Sequence, residues 1–224
     1  MRISEIFYSV QGEGSLVGVP SIFVRTTGCN LRCSWCDTPY TSWHPEGDEL
    51  SLDAIMERTA GYAAARHVVL TGGEPLIAPA IVELSGRFRE RGLHITLETA
   101  GTVFAPVQCD LMSISPKLSN STPEGVFQQR HEQLRLQPAV LQQLTARYDY
   151  QLKFVISREE DLDEARQVAA LVNAPPEKVI LMPEGVSAEV LNTRGAWLAE
   201  LCKQYGYRFS PRLHVHLYGN KRGT

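Results

Sequence analysis

The chain has 224 residues, a formal net charge of −3, and 43% hydrophobic and 21% charged residues. That length supports a substantial core, so residues 1–224 are expected to form one domain with no long disordered region. The mild acidity argues against a nucleic-acid-binding surface, no run approaches the ~20 apolar residues that span a bilayer, and residues 1–12 carry no leader pattern, so a soluble cytoplasmic protein is expected.

Short β-rich runs alternate with stretches of helical period, the pattern of a parallel α/β arrangement. The first strand is expected over 21–26 (SIFVRT), running into GCNLRCSWC. A helix over 52–62 precedes a strand over 67–71 (HVVLT), which runs into TGGEP. A helix over 79–91 then leads to strands over 94–98 (HITLE), ending in ETAGT, and 111–115 (LMSIS), ending in SPK. Residues 117–138 form a polar stretch without helical period, where a full barrel would place a helix. Beyond it come a helix over 138–148, a strand over 151–156 (QLKFVI), a helix over 159–172, a strand over 178–182 and a helix over 188–205. In the helix over 159–172, Leu162, Ala165, Val168, Ala169 and Val172 make one apolar stripe, and Glu159, Glu160 and Asp161 favour its N-terminal dipole. His214 and His216, two apart, are expected on a last strand, pointing the same way. The glycine-rich and polar motifs fall just after strands, the edge that carries active sites in parallel barrels and open sheets, so they are expected to converge.

Five cysteines, three of them within eight residues, make poor material for disulfides and good material for a metal. Cys109 and Cys202 stand alone and read as small apolar residues. Cys29, Cys33 and Cys36 have C-x3-C-x2-C spacing, which ligates three irons of a cubane and leaves the fourth open for a small molecule. Zinc is the competing occupant, with His44 near enough in sequence to complete its shell.

This spacing, with Trp35 just before the last cysteine, resembles the radical S-adenosylmethionine superfamily. The resemblance implies a 4Fe-4S cluster whose open iron binds S-adenosylmethionine for radical chemistry. Thr71-Gly72-Gly73-Glu74-Pro75 resembles the superfamily's GGEP motif, implying that Gly73 and Glu74 bind the cofactor's amino group. It also places Glu98 or Thr99, Ser115, Pro116 and Lys117, and the turn of Met182, Pro183, Glu184 and Gly185, around the rest of the cofactor.

A closer likeness, running from end to end, lies in IFYSVQGEG (6–14), GVPSIFVR (18–25), Cys36-Asp37-Thr38 and HVHLYGNKRGT (214–224). Together these resemble the 7-carboxy-7-deazaguanine synthases, which rearrange 6-carboxy-5,6,7,8-tetrahydropterin to 7-carboxy-7-deazaguanine with loss of ammonia, on the route to queuosine. The likeness implies a magnesium ion on Thr38, and a partial (β/α)6 TIM-like barrel trimmed on one face, with open edges that a homodimer would cover. It also implies an electron donor such as a flavodoxin. Chemically, Arg25 offers a planar fork for the pterin carboxylate, while Val10, Gln11, Gly12 and Glu13 match the amino-pyrimidinone edge and Thr71 adds a hydroxyl. In the tail, His216, Tyr218 and the terminal carboxylate of Thr224 all remain candidates to face the substrate. An activating enzyme for a glycyl-radical protein, and a zinc-binding adaptor, are the alternatives to a pterin enzyme.

Overall fold

A computed structural model describes every residue, Met1–Thr224. Its elements run β1 (Arg2–Val10), β2 (Pro20–Thr26), α1 (Pro39–Ser42), β3 (Asp48–Glu49), α2 (Leu52–Ala60), β4 (His67–Gly72), α3 (Ile81–Glu90), β5 (His94–Thr99) and β6 (Leu111–Ile114). They continue with α4 (Gln128–Arg135), α5 (Pro138–Arg147), β7 (Tyr150–Ile156), α6 (Asp161–Leu171), β8 (Val179–Pro183), α7 (Ala188–Tyr205), β9 (Arg208–Phe209) and α8 (Leu213–Tyr218).

The strands form one sheet in the order β3-β1-β2-β4-β5-β6-β7-β8-β9. β1 is antiparallel to both β2 and β3, and the remaining pairings are parallel. β3 and β9 do not pair with each other, so the sheet curls into an open, partial barrel. The six expected strands are β2 and β4 to β8; β1, β3 and β9 were not expected as strands. β3 and β9 are two residues each, too short for a pattern, and a register shift between Ile3 and Glu5 interrupts the alternation of β1.

Alternation of side chains decides what each face does. Ile22 and Val24, Val68 and Leu70, Ile95 and Leu97, Met112 and Ile114, and Leu152 and Phe154 are buried in one cluster with Leu84 and Phe88 of α3, Leu141 and Leu144 of α5 and Val168 of α6. The intervening residues, Arg25, Thr71, Glu98, Ser113 and Lys153, face the other way and line a cavity. The helices are capped as their sequences direct. Ser51 accepts from the Ala54 amide at the start of α2, Ser187 from the Val190 amide at the start of α7, and Gly206, at φ +70°, ends α7 in the left-handed region. Cys202 is buried in the core and the half-buried Cys109 packs against it.

Two expectations are corrected. The polar stretch 117–138 contains α4, whose only aliphatic residue is Leu134 and whose buried residue is His131; with the core contact made by a polar side chain, no apolar period marks it. The tail residues expected on a strand form α8, where Val215 is buried, His214 is partly buried and His216 is exposed. Alternation over so short a run does not separate strand from helix. No helix is long and apolar enough to cross a membrane.

Candidate active site

A cavity of about 460 Å³ opens at the C-terminal ends of the parallel strands. Its wall is assembled by register. Arg25 pairs with Thr71 across β2 and β4, Glu98 with Ser113 across β5 and β6, Ser113 with Gln151 across β6 and β7, and Val155 with Met182 across β7 and β8.

The cysteine loop leaves β2 and forms one side of this cavity, where Cys29, Cys33, Trp35 and Cys36 are all lining residues. The loop is pinned from outside. The Trp43 indole donates to the Cys33 carbonyl at 3.0 Å, the Trp35 indole to the Asn120 carbonyl at 3.0 Å, and the Ser34 amide to the Ser121 carbonyl at 2.9 Å. From α4, His131 Nδ1 accepts the Arg32 amide at 3.2 Å. Nδ1 is therefore unprotonated, and Nε2–H donates to Ser121 Oγ at 2.9 Å.

Burial pushes the Cys29 thiol up to about 11 and the Cys33 thiol up to about 12, so ionising them requires a strong local positive charge, which iron supplies. No three His, Cys, Asp or Glu side chains are gathered tightly enough for one ion. A cubane takes one cysteine on each of three irons, whereas a zinc ion needs all its ligands around a single point. His44 is exposed and lies off the cavity.

The TGGEP turn follows β4 and packs directly on the cysteine loop. A Cβ on Gly73 would stand 2.7 Å from Cys29 Cβ and closer still to the Gly28 carbonyl oxygen, so only glycine lets the two loops meet. Gly73 lines the cavity and Glu74 does not. The Glu74 carboxylate is fully buried, accepting from Thr99 Oγ1 at 2.8 Å and from the amides of Ala100 at 2.9 Å and Leu76 at 3.0 Å. It clamps the end of β5 to the turn after β4. Ser115 and Lys117 line the cavity, joined at 2.9 Å, with the ammonium over the Trp35 ring; Pro116 does not. Of residues 182–185 only Met182, still within β8, reaches the cavity. Pro183 ends the strand, Glu184 pairs with Arg194 of α7, and the Gly185 carbonyl accepts from Arg212 at 2.6 Å.

On the far side, Gln11 Nε2 donates to Glu98 Oε1 at 3.1 Å and Thr71 Oγ1 to Glu98 Oε2 at 2.9 Å. Glu98 thus belongs with Gln11 and Thr71 rather than with the cysteine loop. Val10, Gly12, Glu13 and Thr224 also line the cavity. The Gly12 backbone lies against His214, whose ring Cγ would be 2.8 Å from a Cβ there. Burial lowers the His214 imidazole, which is neutral at pH 7. Arg25 lines the cavity while its Nε is held by Glu5 at 3.0 Å, and Thr38, which precedes α1, has its hydroxyl 3.9 Å from Cys36 Sγ.

Lys153, Arg212 and Asp37 are among the lining residues that were not expected from sequence. Lys153 of β7 pairs with Glu13; Arg212 pairs with Glu13 at 3.0 Å and with Asp37. Burial alone would raise the carboxyls of Glu13 and Asp37, yet Lys153 and Arg212 bring Glu13, and Arg212 brings Asp37, below the ordinary range. Burial would lower Lys153 and Arg212, but their carboxylate neighbours raise both. All four groups are ionised at neutral pH. A lysine inside the apolar run QLKFVI was the available signal for Lys153, and the Cys36-Asp37-Thr38 motif was the signal for Asp37; Arg212 carried none beyond its charge.

Residues 23–118 match the radical SAM superfamily. The chain is 44% identical to the 7-carboxy-7-deazaguanine synthase of Rhodopirellula baltica over 229 residues, covering all of this chain and 89% of that protein. It is also 44% identical to the 7-carboxy-7-deazaguanine synthase of Halobacterium salinarum over 238 residues, covering all of this chain and 93% of that protein. Among solved structures, QueE from Escherichia coli superposes with a TM-score of 0.72 over 95% of this chain and 94% of that one, at 24% identity, a likeness of fold.

Proposed function

Since the chain belongs to the 7-carboxy-7-deazaguanine synthases, within the radical S-adenosylmethionine superfamily, we propose that the cavity at the C-terminal ends of its strands brings cluster, cofactor and pterin together. The reaction is the lyase rearrangement of 6-carboxy-5,6,7,8-tetrahydropterin to 7-carboxy-7-deazaguanine with loss of ammonia, in queuosine and deazapurine biosynthesis. When bound, a 4Fe-4S cluster and S-adenosylmethionine supply one-electron hydrogen abstraction. Residues 1–224 act as a single radical S-adenosylmethionine domain.

Cys29, Cys33 and Cys36 hold the cluster, and the Gly73 backbone, Ser115, Lys117 and Met182 hold S-adenosylmethionine. Glu74, Pro116, Pro183, Glu184 and Gly185 form the frame behind them. On the pterin side, Arg25 takes the carboxylate through the part of its guanidinium that Glu5 leaves open. Glu98, oriented by Gln11 and Thr71, accepts from the amino-pyrimidinone edge, and the Val10 and Gly12 backbone, Glu13 and Thr224 complete that wall. Lys153 and Arg212 keep Glu13 ionised and fixed, so the wall needs no reorganisation when substrate enters. The Thr38 hydroxyl serves magnesium, with substrate oxygens and water filling the other positions, since the neighbouring Asp37 carboxylate is engaged by Arg212. A flavodoxin-type donor supplies electrons.

The observation that carries this reading is that the three cysteines and the polar faces of β2, β4, β5 and β7 open onto the same cavity. Anaerobic reconstitution with iron and sulfide, followed by S-adenosylmethionine, reductant, magnesium and the pterin, tests it. 7-Carboxy-7-deazaguanine is the expected product. 5′-Deoxyadenosine without that product would sink the pterin, and a protein taking up no iron would sink the radical chemistry.

A further inference from the structure

The side chain of Glu5, on β1, is only 10% exposed and does not line the cavity, yet it touches three separate parts of the molecule. Its Oε2 accepts Arg25 Nε at 3.0 Å and the Tyr40 hydroxyl at 3.3 Å. Its Oε1 accepts Arg222 Nε at 3.0 Å. Arg222 also donates to Glu46 at 2.8 Å, and its guanidinium lies 4.0 Å from the centroid of the Tyr40 ring. Arg222 sits in the turn after α8, and Asn220, Lys221, Arg222 and Thr224 all line the cavity. One buried carboxylate therefore serves two guanidiniums that both face the cavity, one from the sheet and one from the tail.

We propose that Glu5 is a positioning residue that couples the tail, residues 219–224, to Arg25, so that closing the tail over the cavity and orienting the Arg25 guanidinium are a single event. The charges require it to be shared. Arg25 brings one positive charge to the wall, and Arg222 brings a second within reach of the same carboxylate. Without Glu5 the two would repel and the tail would lift. With Glu5 in place, Arg25 is steered through Nε and presents its remaining N–H groups to the cavity, while the tail is drawn down over them. Tyr40 stacks on Arg222 and donates to Glu5, fixing the distance between them.

This inference rests on Arg25 binding the pterin carboxylate, so its test has two independent arms. The first is hydrogen exchange of the segment 213–224 in the ligand-free protein, which needs no turnover. Arg222→Gln and Glu5→Gln should each speed exchange there about 5-fold or more, as expected for losing a partly exposed ion pair. The second arm is steady-state kinetics with 6-carboxytetrahydropterin. Arg222→Gln should raise KM about 5-fold with kcat within about 2-fold, and Arg222→Lys should restore part of the loss. In a Glu5→Gln background, Arg222→Gln should add less than about 2-fold, because the link is already cut. Equal effects of Arg222→Gln in both backgrounds, or unchanged exchange in both single variants, would overturn the coupling. Should Glu5→Gln fail to fold, exchange and the KM–kcat split of Arg222→Gln against Arg222→Lys still decide the role of the tail anchor. An unaltered chain that turns over no pterin would sink the substrate reading, and the exchange arm would still decide whether Glu5 holds the tail.

Discussion

Lys153 stands at the middle of a strand whose neighbours Leu152 and Phe154 are fully buried, and its own side chain is buried opposite Glu13. Burying that pair is tolerable only because Arg212 and Asp37 extend it into an alternating chain of charges. Lys153→Met leaves Glu13 with Arg212 alone, and should lower the unfolding free energy by about 3 kcal/mol, the low end of the cost of breaking a buried ion pair. Denaturant midpoints at pH 7.5 measure this, and a loss below ~1 kcal/mol would show the pair to be wet. Gly73 makes the complementary case, where the missing atom matters. Gly73→Ala drives a methyl into Gly28 and Cys29 and should part the two loops. Iron content and the visible cluster band after reconstitution should fall by more than half. A full complement of iron in that variant would show that the loops can yield.

At the scale of elements, α4 is the part whose role depends on protonation. Burial lowers the His131 imidazole from its ordinary value of 6.5. Glu132 raises it, Arg135 and Lys117 lower it, and its ring is bonded to Arg32 and Ser121. The neutral form is thus favoured by folding. Its contribution is complete above the unfolded value and is lost as pH falls from there toward the depressed folded value, because the unfolded chain takes up the proton first. Stability should therefore fall between pH 7.5 and 5.5 more steeply in the unaltered chain than in His131→Gln, by at most one proton's worth of slope. Parallel urea titrations at the two pH values give the comparison; identical slopes would mean that His131 protonates freely in the folded state. The helix also marks how far sequence carries. The parallel strands were legible because their cores are runs of Val, Ile and Leu, and the cysteine loop because its spacing is chemical. α4 was not, since the residue it buries is a histidine, and nor was α8, whose HVHLY alternates like a strand. The bonds that orient Glu98 were not legible either, since they come from Gln11 and Thr71, which lie 87 and 27 residues away.

Over the whole molecule, the same alternation that packs aliphatic residues against the helices turns Arg25, Thr71, Glu98, Ser113 and Lys153 inward, so core and cavity are two readings of one periodicity. That economy leaves the ends of the sheet to be managed. β3 carries Asp48 and Glu49, charges that discourage further pairing. β9, also two residues long, sets Arg208 beside an apolar residue. Phe209 is 40% exposed on it, and Val186, just before α7, and Val190, in its first turn, are 46% and 38% exposed. This cluster of exposed apolar side chains beside a sheet edge is the surface that a second copy of the chain would cover in the homodimer that the family resemblance implies. Sedimentation velocity at micromolar concentration should give twice the chain mass, and Phe209→Glu should shift the population to monomer while leaving the far-UV dichroism unchanged. Phe209 lies outside the cavity, so that variant should keep its iron. A chain that sediments as a monomer without the substitution would leave β9 a solvated edge and overturn the homodimer that the resemblance implies.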